Sequence, residues 1–280
     1  MAVVRTIPAG AGRVVLLVVA HADDVALFLG GTVAAWSDAG WRVAVVRVTD
    51  DRTDSVGLTE AATIAANHDE FRRAAAILGV DEIVELGYRT DALADISEVV
   101  LREQIIRQVR RLRPYALVTF DPDARHGEDN EDHRMVARAT DEAFWTSQFD
   151  QHHPEHLAEG LAPHGCFERW YFGRQVVDPT DVVDIAATLD RKIDAACEHV
   201  TMMTNYANQL VLQARTGGWD LPFAETAAAT SEVRPLLEPL LRAGASRVGA
   251  TCGMAAGEEF RVVTFGGMQA LLDRFGTRRS

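Results

Sequence analysis

Three cysteines in 280 residues, Cys166, Cys197 and Cys252, are too few and too scattered for the two structural uses of thiols. Their number is odd and no CxxC spacing occurs, which argues against a disulfide framework or a thiolate zinc site and fits a reducing cytoplasm. Long apolar runs are missing too. None approaches the roughly 20 residues that span a bilayer, and the start of the chain lacks the apolar segment of a signal peptide. A soluble, cytoplasmic protein without membrane insertion is expected. Basic residues are in short supply: 28 Lys and Arg against 41 Asp and Glu leave a net charge of -13, which repels phosphate backbones. The densest basic stretch, Arg102 to Arg113, reads as the solvated face of a helix, so nucleic acid is not an expected partner. No GxGxxG turn follows the first strand, and carboxylates stand where a pyrophosphate would sit, which argues against a nucleotide-binding module. Internal repeats and low-complexity linkers are absent.

What the chain does have is enough apolar material, 48% of its residues, for a full core. The run from Arg13 to Ala20 reads as a buried parallel strand, because such strands are continuous Val, Leu and Ile. A short helix over Thr32 to Ala39 and a second strand over Arg42 to Thr49 open a βαβ series. Thr59 to Leu78 has helical spacing and ends at Gly79; Glu82 to Leu86 is a third strand. Ile96 to Leu112 is an amphipathic crossover helix, and Ala116 to Phe120 the next buried strand. Beyond it, Gln151 to Gly165 suggests a loop, Phe167 to Val177 a strand, Val183 to Gln213 one long helix, and Val233 to Leu241 a last helix. Phe260 to Phe265 reads as a short strand or helix.

The expected fold class is α/β, a Rossmann-like three-layer sandwich with a mostly parallel sheet and a smaller C-terminal portion. Residues 1–178 are expected to form the catalytic core with the metal site. Residues 179–280 are expected to form a helical portion completing the sheet and substrate pocket.

Ligands of open α/β sheets bind beyond the carboxyl ends of the strands, where the first strand stops at His21-Ala22-Asp23-Asp24. His21 and Asp24 can face one point, and His133, which follows another strand, can supply a third ligand. Two His and one carboxylate hold a catalytic zinc while leaving a position open. The same donors accept iron(II) or cobalt, with zinc ranked first. Asp23, adjacent to Asp24 and pointing elsewhere, is placed as general base for metal-assisted amide hydrolysis. The bland alternative is that the Asp residues cap a helix or form a turn and that Gly30-Gly31 permits close packing.

These residues resemble the PIG-L/LmbE-like zinc-dependent deacetylases of N-acetylglucosamine-type substrates. The family's AHPDDE signature with its GG pair is matched by Ala20-His21-Ala22-Asp23-Asp24-Val25 and Gly30-Gly31. Its HPDH or HxDH signature is matched by Asn130-Glu131-Asp132-His133. The likeness continues through Glu70 to Gly79, Leu86-Gly87-Tyr88 with Asp91, Val183-Asp184-Ile185 with Lys192, and Glu259-Phe260; the segment from about 205 to 250 matches nothing specific. The resemblance implies zinc on His21, Asp24 and His133, Asp23 as general base, and a small-molecule N-acyl substrate. The departures are Ala22, Val25, Asn130 for a family histidine, and Asn67 where many members have a sugar-contacting Arg. An amide donates to an oxyanion but carries no proton, and without that guanidinium an anionic sugar is a weaker match. Asn67 and the unmatched 205–250 stretch lead to the expectation of a natural product bearing an N-acyl sugar or another amide. The rival expectation is a catalytically silent relative that binds an acylated ligand or partner.

His126 is the candidate to take over the role vacated at Asn130. His152, His153 and His156 are read as surface residues outside the site, and His199 as a packed core histidine. Asp132 is expected to orient a ring nitrogen of His133 or to cap its helix, and Asp50-Asp51 to form a turn. Trp170, Tyr171, Tyr206 and Trp219 are assigned mostly to packing. A homo-oligomer is left open.

Overall fold

The computed structural model describes residues 2–124 and 127–277. In chain order its elements are β1 (Val3–Arg5), β2 (Val14–Val19), α1 (Asp24–Asp38), β3 (Arg42–Thr49), α2 (Glu60–Leu78), β4 (Glu82–Tyr88), α3 (Glu98–Leu112) and β5 (Ala116–Phe120). There follow α4 (Glu131–Thr146), α5 (Pro154–Ala158), β6 (Glu168–Phe172), β7 (Asp181–Asp184), α6 (Leu189–Glu198), α7 (Val200–Thr216), α8 (Pro222–Thr230), α9 (Arg234–Ala250), β8 (Gly257–Thr264) and α10 (Gln269–Phe275).

One sheet of eight strands in the order β1-β7-β8-β6-β5-β2-β3-β4 organises the molecule. Its pairings are parallel except those of β8, which runs antiparallel to β6 and β7. The mostly parallel α/β architecture expected from the alternating pattern is the one observed. β2 occupies the middle, and Val15 to Val19 are fully buried, as a strand covered on both faces must be. Its register against β3 and β5 brings three strand ends together beside α1 and α4.

β1, α8 and α10 are not expected from the sequence, α9 extends past Leu241 to Ala250, and four further elements differ from the sequence reading. α1 starts at Asp24, because a break at Leu29 (φ -137°, ψ 19°) interrupts the helical period. Gly31 and Thr32 beyond that break donate their amides to Glu258 at 3.1 and 2.7 Å, and Lys192 neutralises Glu258 at 2.6 Å. The glycine pair lets the chain pass: a Cβ on Gly31 would lie 2.7 Å from Cβ of Ile185. Val183 to Gln213 is not one helix. Val182 and Val183 are buried in β7, and α6 and α7 meet at a break on His199 (φ -80°, ψ 55°). Pro154, expected to interrupt helical spacing, starts α5, where its missing N–H would have had no partner. The final apolar stretch is a full strand, β8. No helix among the described residues is long and apolar enough to cross a membrane.

Candidate metal centre

β2 delivers His21 and Asp23 at its carboxyl end, and Asp24 opens α1. The end of β3 fixes this loop: the Thr49 amide and hydroxyl both donate to the Ala20 carbonyl, and Asp51 accepts the Ala22 amide at 3.1 Å. His133 stands in the first turn of α4, whose N-cap is Asn130, accepting the His133 amide at 3.2 Å. Phe120, at the end of β5, stacks on the His133 ring with centroids 4.0 Å apart.

The structure brings His21, Asp24 and His133 together, 5%, 2% and 2% exposed. His21 Nδ1 and His133 Nε2 are 3.1 Å apart. Asp24 places Oδ1 3.2 Å from His133 Nε2 and Oδ2 3.8 Å from His21 Nδ1. Donors sharing one tetrahedral ion at about 2.0–2.1 Å stand roughly 3.3 Å apart, so the group has the dimensions of a three-ligand metal site. The outer ring nitrogens face carboxylates: His21 Nε2 lies 3.4 Å from Asp132 and His133 Nδ1 3.0 Å from Glu128. Protons on those outer nitrogens leave two lone pairs and a carboxylate converging on one point, and a cation relieves that repulsion. Without an ion, protons take its place. Burial lowers the basicity of His21, but Asp132 and the charges of Asp24, Asp51 and Asp23 outweigh it and push its pKa up to about 10. His133 is likewise raised against burial by Asp24 and Glu128.

Asp23 sits at the N-cap position of α1 yet its side chain caps nothing. It is 1% exposed, and its Oδ1 has no hydrogen-bond partner among the described residues. Burial and the neighbouring Asp24 charge push its carboxyl up to about 8. A helix cap would have bonded an amide; this carboxyl group is held free instead.

Asp132 does not serve His133. It faces His21 and is held by the amides of Asp91 and Leu93 at 2.7 and 3.2 Å. Glu128, which sequence reasoning missed, takes the position beside His133. Asp51 also exceeds its turn-forming reading, receiving Arg47 and Thr49 as well as Ala22. Asn67 is fully buried and donates to the Asp51 carbonyl at 3.1 Å, so it braces the β3–α2 loop. His126 lies outside the described residues. His199 is fully buried, as expected of a packed core residue, but neither ring nitrogen has a hydrogen-bond partner among the described residues.

The other histidine cluster is less superficial than expected, for His156 is fully buried. Its Nε2 meets Glu103 at 2.6 Å and its Nδ1 faces the Arg110 guanidinium at 3.2 Å. Arg110 itself is buried and not part of a solvated helix face. A cavity of about 840 Å³ is lined by Phe120, Glu128 and His133 together with Arg138, Tyr171 and Arg261.

Comparison with known proteins points to one family. The PIG-L family profile, described as GlcNAc-PI de-N-acetylase, matches residues 16–144. The chain is 29% identical over 192 residues to the diacetylchitobiose deacetylase of Thermococcus kodakarensis, covering 66% of this chain and 68% of the relative. It is 28% identical over 240 residues to the 1D-myo-inositol 2-acetamido-2-deoxy-alpha-D-glucopyranoside deacetylase of Rhodococcus jostii, covering 69% and 82%. The N,N'-diacetylchitobiose deacetylase structure from Pyrococcus horikoshii shares the fold with a TM-score of 0.74, at 24% identity over 92% of this chain and 86% of that one. Residues 16–144 thus carry a PIG-L family domain, and the chain as a whole shares its fold with a solved deacetylase structure.

Proposed function

We propose that the chain is a metal-dependent amide hydrolase that removes the acetyl group from N-acetylated amino-sugar substrates, with zinc held by His21, Asp24 and His133. The observation that carries this reading is Asp23: a buried carboxyl group without a hydrogen bond on Oδ1, next in sequence to a ligand of the His21–Asp24–His133 group. When bound, a divalent ion supplies Lewis acidity, polarising the amide carbonyl and making water easier to deprotonate near neutral pH. Asp23 takes the proton from the attacking water and returns it to the leaving nitrogen, so that the amide and water become acetate and a free amine. Asn130 has Oδ1 engaged in capping α4, and its Nδ2 is the donor it can offer to the developing oxyanion. Phe120, stacked on His133, keeps one flank of the centre apolar.

The surroundings offer hydrogen-bonding groups to a sugar. Asn67 is committed to the Asp51 backbone, and the carboxyl groups of Asp23, Asp51 and Asp54 lie on this side of the sheet. Asp54 keeps a buried Oδ2 without a partner, and burial and Asp51 push its carboxyl up to about 7. Sugar hydroxyls can exchange hydrogen bonds with such carboxyl groups in either protonation state.

The test is acetate and amine release by zinc-loaded protein from N,N'-diacetylchitobiose, N-acetylglucosaminyl-inositol and N-acetylglucosamine 6-phosphate. Turnover of the neutral compounds, lowered about 10²- to 10⁴-fold in Asp23→Asn with zinc retained, is expected. Zinc-replete protein that releases acetate from none of a broad N-acyl panel would end the reading.

A further inference from the structure

Both imidazoles of the metal group are backed by a carboxylate, but the two are built differently. Asp132 belongs to α4 and is pinned by two backbone amides. Glu128 belongs to the loop before α4, is 6% exposed, and divides its oxygens. Oε1 accepts the Asn130 amide at 3.0 Å and lies 3.6 Å from Arg174 Nε, while Oε2 stands 3.0 Å from His133 Nδ1. The ring N–H is not yet aligned with that oxygen, as is common before a bound group tightens a site.

Two carboxylates therefore compete for one ring proton. Glu128 draws it to Nδ1, outside the metal group; Asp24, 3.2 Å from Nε2, draws it inside. With the proton inside, His133 would bond Asp24 or His21 and present no lone pair. We propose that Glu128 is the positioning residue of the third ligand: by holding the Nδ1 proton it keeps Nε2 bare, and so sets how firmly a divalent cation is bound. Arg174, which also pairs with Asp129 at 3.0 Å, keeps Glu128 charged and in place. This inference rests on the reading of His21, Asp24 and His133 as a metal site, and it is independent of what the enzyme hydrolyses.

The experiment measures zinc affinity of the full chain by competition with a chromophoric chelator. Glu128→Gln, which preserves shape and an acceptor, should bind zinc about 10-fold more weakly, and Glu128→Leu up to about 100-fold. Arg174→Gln should lose less than Glu128→Gln. Zinc affinity within threefold of the parent in both Glu128 variants would overturn the proposal. So would an Arg174→Gln loss equal to that of Glu128→Leu, since loop order and not the carboxylate would then set affinity. A parent that shows the Glu128 dependence but releases no acetate would remove the hydrolase reading and leave this one standing.

Discussion

Asp51 accepts the backbone amide of Ala22 at 3.1 Å, so a side chain just past the end of β3 fixes the residue between a proposed metal ligand and the proposed base. The same carboxylate receives Arg47 at 3.2 Å and Thr49 at 3.0 Å with no exposure to solvent. Removing one member of a buried ion pair leaves the other uncompensated, at a cost of about 3 kcal/mol or more. Arg47 retains Glu85, which limits the loss. Asp51→Ala should therefore stay folded, lose about 3 kcal/mol in urea denaturation, and bind zinc more weakly because its loop is released. Zinc affinity equal to the parent's would show that the loop holds its shape without Asp51.

A Cβ on Gly31 would meet Cβ, Cγ2 and Cδ1 of Ile185 at 2.7, 2.8 and 2.9 Å. Overpacking of this kind typically costs about 1–3 kcal/mol. Gly31→Ala should be destabilised by that amount in thermal or urea unfolding. Adding Ile185→Ala removes two of the three contacts and should restore part of the loss; no restoration in the double variant would mean that the break at Leu29, and not the crowding, is what glycine serves.

The metal group was legible because chemistry interrupts pattern: an all-apolar strand stops at His21, and a second strand is followed by His133. The partners of those rings were not. Adjacent residues on a helix point about 100° apart, so Asp132 turns to His21 and not to its neighbour His133. Glu128 lies in a loop, where no periodicity says which way a side chain faces. The fold was legible in its alternation and obscured where tertiary contacts override local preference. Glu258, more than 200 residues away in sequence, satisfies the amides freed by the break in α1. Val183 reads as the start of a helix because the strands that pair with β7, β1 and β8, come from opposite ends of the chain.

His199 makes an acid-stability prediction. Burial first, with the Arg47 and Arg73 charges adding to it and Asp24 opposing, holds its pKa down to about 3. The unfolded chain takes up a proton near pH 6.5, so the contribution of neutral His199 is intact above that value and is lost as pH falls toward 3. His199→Leu removes the titrating group and two buried nitrogens without partners. The parent should lose roughly 1 kcal/mol per pH unit below about 6 relative to the variant, measured by urea unfolding between pH 7.5 and 4.5. Parallel pH dependence of the two proteins would show that the imidazole is solvated or partnered in solution.

Arg110 argues for a single bound ion. His153, Glu155 and His156 bring donor atoms as close together as the first group does. Arg110 already supplies the positive charge there: its guanidinium donates to the carbonyls of Ser147, His153, Phe149 and His152 at 3.3, 3.1, 2.7 and 2.7 Å, and faces His156 Nδ1 at 3.2 Å. With Nδ1 accepting from Arg110 and Nε2 donating to Glu103, His156 has no lone pair left for a metal. Elemental analysis should therefore give one zinc per chain, unchanged in a His153→Ala, His156→Ala double variant and reduced to none in Asp24→Ala. Arg110→Met should lower stability by about 3 kcal/mol or more, since several carbonyls lose a charged donor at once, while the zinc count stays at one. A second equivalent of zinc that disappears with His156 would show that the cation and Arg110 share the cluster after all.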